Sequence, residues 1–292
     1  MDLPTLRQLR TFIATVEIGS LTRAARALHL TQPAVSQQLR ELERILGVRV
    51  LERTASGLAP TAAGAAILSA ARRTQAAAAE VAETAHACRS GAVGRVRVGT
   101  GATACIYLLP PILAATRRQM PGLEIIVETG NTPDILHRVE QGSLDAGLVT
   151  LPRMLGRGLA RIRLRRDELL ALLPATMAVD GAVTPDQLAA QPLILYESGG
   201  DTRGIIDGWF RNAGLTPRPI MELGSVEAIK VLVSSGLGAS VLPRLALDQE
   251  VPGTQRRPLR PAAARELGLV LRKDKIRDRG MQALTRALEQ YP

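Results

Sequence analysis

Positions 20–47 read Ser20-Leu-Thr-Arg-Ala-Ala-Arg-Ala-Leu-His-Leu-Thr-Gln-Pro-Ala-Val-Ser-Gln-Gln-Leu-Arg-Glu-Leu-Glu-Arg-Ile-Leu-Gly47. Ser20 can cap a helix, because its hydroxyl accepts an orphan backbone N–H. Ala24, Ala25 and Leu28 give that helix a small apolar face. His29-Leu30 makes a short turn, and Thr31 can cap a second helix with Pro33 in its first turn, where a missing N–H costs little. Along the second helix Val35, Leu39, Leu42 and Leu46 point one way; Pro33, Gln37 and Arg40 point the other, with Ser36 at the flank. Gly47 stops it. Two short helices joined by a tight turn, the second with a polar outer face at its start, form a helix-turn-helix. Such a second helix fits a DNA major groove, where Gln, Ser and Arg can meet purine edges and phosphates. The bland alternative is a structural three-helix bundle with a solvated polar face.

Upstream, Leu6, Leu9, Ile13 and Val16 recur at helical spacing and Gly19 ends that helix. Downstream, Val48–Arg53 reads as a strand, Thr54–Gly57 as a turn and Leu58–Thr61 as the return. This small wing would put Arg53 beside a DNA backbone or minor groove. Residues 61–89 are Ala-rich and lack Gly and Pro after Gly64, so one long helix is expected. Gly64, Ile67, Ala71, Thr74, Ala78, Val81, Ala85 and Cys88 alternate steps of three and four, a seam of small side chains suited to a dimer helix. The competing reading is a helix lying on its own domain. A dimer would present two recognition helices to half-sites about one DNA turn apart.

After the short hinge Ser90–Gly94, strands and helices alternate. Strands are expected at Arg95–Gly99, Leu123–Thr129, Leu144–Thr150, Asp167–Leu173, Pro192–Tyr196, Pro219–Leu223 and Glu266–Leu271. Helices are expected at Leu108–Met120, Thr132–Gln141, Thr202–Ala213, Val226–Ser235 and Arg279–Gln290. Such alternation implies a mostly parallel sheet covered on both faces, binding ligands at the carboxyl ends of its strands. Segments near positions 160 and 260–265 read as crossovers between two lobes.

Composition sets the frame. At 292 residues and 46% hydrophobic, the chain can build about two domains on a prior of roughly 150 residues each. Only 2% of residues are aromatic, against a reader of single-stranded nucleic acid that stacks bases. The net charge is +10, which favours polyanions. Residues 1–90 hold 11 Arg and no Lys against 7 acids, leaving 26 basic against 20 acidic residues beyond, so the charge is spread. Cys88 and Cys105 are too few for a disulfide scaffold and read as reduced thiols; no metal or cofactor motif is present. No apolar run approaches 18 residues and the N-terminus has no signal-peptide pattern, so the expected location is the cytoplasm. His29, His86 and His137 lie in separate segments, and no GxSxG, HExxH or phosphate-loop pattern accompanies them, against an enzyme. A free-standing solute-binding protein and a ligand-independent architectural DNA protein are the other rivals.

The run Leu21–Gly47, followed by Thr61-Ala-Ala-Gly64, resembles the signature of LysR-type transcriptional regulators; Leu51 stands where that family usually has Phe. The C-terminal part carries looser family motifs in Leu109-Pro110, Pro121–Glu124, Gln141–Asp145, Val233–Gly238 and Val241–Pro243. Thr129–Thr132 and Tyr196–Arg203 look most like the branch controlling sulfur assimilation and carbon fixation. The resemblance implies a winged helix-turn-helix at 1–60, a linker and dimerisation helix at 61–89 and an α/β effector domain at 90–292. That domain would be periplasmic-binding-protein-like, with lobe I at about 91–163 and 266–292 and lobe II at about 164–265. By resemblance Gln32, Pro33, Ser36 and Gln37 meet bases and phosphates, Arg53 is the wing arginine, and Arg23, Thr31 and Arg40 are phosphate contacts; Arg44 is a solvated charge. The implied ligand cleft is lined by Thr100, Thr103, Asn131, Thr150, Ser198, Gly199, Thr202, Arg203 and Ser225. A small anion fits hydroxyls and helix N-termini there, with Arg203 pairing it, although Thr100, Ser225 and Asp201 could instead be helix caps. The implied partners are a dyad-symmetric duplex operator, an anionic effector, further copies of the chain in a dimer or tetramer and, for an activator, RNA polymerase.

Overall fold

The computed structural model describes residues 3–54, 57–90, 94–275 and 277–291, without the side chains of 83, 84 and 86–90. It falls into two compact bodies, one of the first 91 residues and one of residues 92–139 and 144–292.

The first body opens with α1 (Leu6–Ile18), α2 (Leu21–Ala27) and α3 (Gln32–Leu46). Thr5 and Gln8 form a reciprocal capping box at the start of α1, and Gly19 closes it in the left-handed region. Ser20 and Thr31 cap α2 and α3 as their sequence positions imply. Phe12, Val35, Leu42 and Val50 form the fully buried centre, with Leu9, Ile13 and Leu39 around them. Leu6 is 49% exposed, contrary to the stripe read from the sequence. It stands at the first position of α1, and the core turns instead on Phe12. The wing is β1 (Leu51–Thr54) against β2 (Gly57–Pro60), pairing Arg53 with Leu58. It starts three residues later than expected, because Val48 is exposed while Val50 drops into the core. Residues 55 and 56 of the expected turn lie outside the described residues.

The long helix α4 spans Ala62–Ser90. Its expected seam divides. Gly64 and Ala71 are buried, and Ala71 and Ile67 pack into the core of the same body. A Cβ on Gly64 would sit 2.0 Å from the Val50 carbonyl oxygen, so this turn needs glycine. The upper part of the seam thus belongs to the head itself, as the competing reading had it. Thr74, Val81 and Ala85 are exposed, and the side chain of Cys88 lies outside the described residues.

The second body runs β3 (Arg95–Thr100), α5 (Ala102–Tyr107), α6 (Leu109–Gln119), β4 (Glu124–Thr129), α7 (Thr132–Glu140), β5 (Ala146–Thr150) and β6 (Leu159–Pro174). It continues with α8 (Pro185–Ala189), β7 (Ile194–Tyr196), α9 (Asp201–Arg211), β8 (Met221–Leu223), α10 (Val226–Ser234), β9 (Ser240–Pro243), β10 (Thr254–Arg272) and α11 (Arg279–Gln290). The main sheet has the order β4-β3-β5-β10-β6-β9, and β7-β8 form a second, parallel pair. Only β3, β4 and β5 are parallel in the main sheet; β10 runs antiparallel to β5 and β6, and β9 antiparallel to β6. The expectation of a mostly parallel sheet is corrected accordingly.

The two crossovers are the long strands β6 and β10, paired to each other on both sides of a register shift between Pro258 and Ala263. Lobe I packs Val98, Ile112, Leu148, Leu269 and Leu284 on one face and Ile135, Val139 and Val270 on the other. Lobe II packs Leu188, Ile206, Trp209 and Phe210 on one side and Ile194, Ile229 and Val233 on the other. Tyr107, at the end of α5, packs against cores of both lobes and accepts a 2.8 Å hydrogen bond from Lys230 Nζ of α10. The short helices α5 and α8 are absent from the sequence reading; neither is long enough to show a helical period.

Candidate DNA-reading head and effector cavity

In the head, α3 buries Val35, Leu39 and Leu42 and leaves Gln32, Pro33, Gln37 and Arg40 exposed, with Ser36 half-buried. Pro33 lies in the first turn and Thr31 accepts from the Ala34 N–H, so the start of α3 is fixed by its own caps. Gln32 Nε2 donates to Ser36 Oγ at 2.9 Å, aligning two polar tips one turn apart. Gln37, Arg40 and Arg53 are exposed and make no side-chain bond among the described residues. Arg23 instead donates to the Ile18 carbonyl at 2.7 Å, closing the end of α1. Arg44 pairs with Glu41 at 2.6 Å, and that bond holds the Glu41 carboxyl below its ordinary pKa.

The second body holds a cavity of about 450 Å³ between its lobes. Lobe I supplies the start of α5, the β4–α7 junction and the end of β5; lobe II supplies the segment from Tyr196 into α9 and the start of α10. Thr103, Asn131, Thr150, Ser198, Gly199, Thr202 and Arg203 all line it. Thr150 and Thr202, from opposite lobes, bring their hydroxyls to 3.5 Å. Asn131 Oδ1 accepts from the Asp134 N–H at 2.9 Å, capping α7. Gly199 adopts φ +90°, a conformation open to glycine, and turns the chain into α9. Gly200 rather than Asp201 is the N-cap of α9, so no side chain covers the first N–H groups of that helix.

Three expectations are corrected. Thr100 is buried in the sheet and its hydroxyl donates to the Leu148 carbonyl at 2.9 Å. Ser225 caps α10, accepting from the Ala228 N–H at 3.3 Å, and does not line the cavity. Arg203 borders the cavity, but its Nε bonds Asp207 and its Nη1 bonds Glu222, each at 2.8 Å. Burial works against its charge, yet those two carboxylates outweigh it and raise its pKa. Its guanidinium is committed to lobe II.

A second arginine lining the cavity is Arg265, from the middle of β10. It is 5% exposed; its Nε and Nη2 reach Asp167 Oδ2 at 2.9 and 2.8 Å, and its Nη1 donates to Thr202 Oγ1 at 3.1 Å. Asp167 Oδ1 in turn accepts from the Leu245 N–H at 3.0 Å. Tyr196 also lines the wall, its buried hydroxyl beside Thr103. Burial, against the pull of Arg265, pushes that phenol up to about 12, so it is a neutral donor. The signal that could have pointed to Arg265 is faint: an arginine opposite an aspartate across two strands 98 residues apart. Among the described residues no cluster of three His, Cys, Asp or Glu could hold a metal ion, and no described helix is long and apolar enough to cross a membrane.

A winged helix-turn-helix in one chain with a two-lobed domain holding a polar cavity defines a ligand-responsive DNA-binding regulator. The family comparisons agree. The profile of the bacterial regulatory helix-turn-helix protein, lysR family, matches residues 6–65, and that of the LysR substrate binding domain matches residues 89–292. The HTH-type transcriptional regulator CbbR of Sinorhizobium medicae is 32% identical over 253 residues, 85% of this chain and 79% of its own. A probable RuBisCO transcriptional regulator of Trieres chinensis is 31% identical over 261 residues, 86% of this chain and 84% of its own. The crystal structure of full-length CbnR with its target DNA superposes with a TM-score of 0.67 at 25% identity, covering 97% of this chain and 98% of that one. The chain belongs to the LysR family of transcriptional regulators and matches its carbon-fixation branch. It is a regulator and not an enzyme.

Proposed function

We propose that α3 reads a dyad-symmetric operator through Gln32, Ser36 and Gln37, with Pro33 against the groove wall. Arg40, Arg53 and Thr31 meet phosphates, and Arg23 reaches one from its place on the Ile18 carbonyl. The observation that carries this is the division of α3 into a buried apolar side and an exposed polar start. The solved relative CbnR, bound to its target DNA, supports the reading. Two heads are required for dyad symmetry, so the chain acts as a dimer or tetramer, with the exposed part of α4 as a joining surface. It works in the cytoplasm, where its operator is; as an activator it would also meet RNA polymerase.

The effector is a small anion bound in the cavity. Arg265 is the cation there, the uncovered start of α9 offers backbone N–H groups, and the hydroxyls of Thr103, Thr150 and Thr202 complete the polar wall. Asn131, Ser198 and Gly199 shape it. Since Thr150 and Thr202 stand on opposite lobes, a ligand bonded to both favours the closed arrangement, and a ligand shifts DNA binding to the extent that it prefers one lobe arrangement. The supporting division is a head at 1–60, a linker at 61–89 and an effector domain at 90–292, with lobe boundaries near 163 and 265.

The test is to sequence genomic DNA retained by the purified chain and then titrate a recovered site. Gln32→Ala should weaken that site by about 1–3 kcal/mol while leaving random duplex nearly unchanged. Equal losses on both would remove the base-reading role. Sulfate, phosphate and phosphorylated three-carbon acids, titrated by thermal melting, should include one that raises Tm in the wild type and not in the paired Arg265→Met/Asp167→Leu variant, which leaves no buried charge unpaired.

A further inference from the structure

Strand β6 starts as the outer strand of the lobe I sheet, because β9 pairs only with its positions 169–172. Residues 151–166, which lead into it and form its first half, contain six arginines and no acidic residue. Beyond residue 90 the chain has 26 basic against 20 acidic residues, so this stretch equals the whole positive excess of that part.

The register decides where the charges point. Arg161 lies opposite Val270 and Arg163 opposite Gly268; the register then shifts, and Arg166 lies opposite Glu266. Positions 270, 268 and 266 alternate along β10 and so face one side of the sheet. The extra residue in β6 therefore returns Arg166 to the face of Arg161 and Arg163. All three are exposed and none is paired with a carboxylate among the described residues; Glu266 shares their face. Arg153 and Arg157, in the segment before β6, are exposed as well and make no ion pair among the described residues. A charged edge strand deters pairing with other chains, but one or two charges accomplish that. Glu266 offsets one of these charges, and the remaining positive row still repels itself, where mixed signs would guard the edge at less cost.

We propose that Arg161, Arg163 and Arg166, flanked by Arg153 and Arg157, form a second duplex-DNA contact, on the phosphate backbone and blind to sequence. The inference rests on the reading of the chain as a DNA-binding regulator. Guanidinium forks match phosphate oxygens, and alternate strand positions space them about 6.6 Å apart in a line. A head already bound to duplex raises the local phosphate concentration, so even a weak second contact adds to retention.

The experiment uses the full chain and a 60-base-pair random-sequence duplex, with affinity measured by anisotropy across a range of KCl. The triple variant Arg161→Gln/Arg163→Gln/Arg166→Gln should bind at least about tenfold more weakly at 0.1 M KCl. Its log–log salt slope should flatten by about 2–3, at roughly 0.9 per phosphate lost. Its thermal melting should match the wild type, and the corresponding triple Lys variant should keep the slope. Arg117→Gln/Arg118→Gln, on an exposed part of α6, controls for net charge and should change neither value much. An unchanged slope in the triple Gln variant overturns the proposal, also where that variant loses binding to an acidic protein instead. An equal loss in the α6 control overturns it too. Failure of the wild type to prefer any genomic fragment over random duplex would strike the operator reading and leave this comparison intact.

Discussion

Single side chains divide the molecule into groups that hold it together and groups left for partners. Arg265 does both. Its pair with Asp167 is buried on both sides, at 6% and 1% side-chain exposure, and removing one partner strands the other. Asp167→Ala should therefore lose about 3–5 kcal/mol in denaturant unfolding, while a paired Arg265→Met/Asp167→Leu change should recover most of it. Phe12→Ala should cost about 3–5 kcal/mol, whereas Leu6→Gln should fall within about 0.5 kcal/mol of wild type. Tyr196 adds a pH signature. Its folded pKa, about 12, exceeds the ordinary 10, so its contribution is present below pH 10 and lost as pH rises toward 12. Melting between pH 9 and 11.5 should fall more steeply in the wild type than in Tyr196→Phe. The sequence exposed some of this division and concealed the rest. Gln37 and Arg40 were legible because helical period separates them from Val35 and Leu39. Arg203 misled because the competing Asp207 sits one turn away in sequence but Glu222 comes from another strand. Arg265 was invisible, because strand partners far apart in the chain leave no local pattern.

At the scale of elements, caps and glycines wrote the clearest record. Ser20 and Thr31 open α2 and α3, and Gly19 and Gly47 close α1 and α3. The seam of α4 was read as small and periodic, either a dimer surface or a helix lying on its own domain, and its first half takes the second course. Its first turns are held by the head, at Gly64 and Ala71; its later turns stay open, with Val81 at 71% exposure. Gly64→Ala should accordingly destabilise the chain by about 1–3 kcal/mol, since the added methyl meets backbone at Val50 and no flexible side chain can yield. Val81→Glu should leave monomer melting unchanged and lower the assembly mass in sedimentation. Were Val81→Glu to unfold the chain instead, the open part of α4 would be an in-domain surface after all.

For the whole molecule, two bodies with separate cores give two functions that should be separable by mutation. Changes on the outer side of α3 should abolish operator choice while leaving effector-induced stabilisation intact, and cavity changes should do the reverse. Within the second body that independence ends. Strand β10 serves lobe II with its first half and then returns to lie between β5 and β6, with Leu267–Leu271 beside Ala146–Thr150. Lobe I thus lacks an inner strand until the ribosome has finished lobe II. A message cut short between codons 150 and 267 cannot yield half a sensor; it leaves a head attached to a sheet in which Leu148 and Val149 lack their β10 partners. Such fragments should be degraded rather than act as constitutive repressors, and gene rearrangements should swap this sensing module whole.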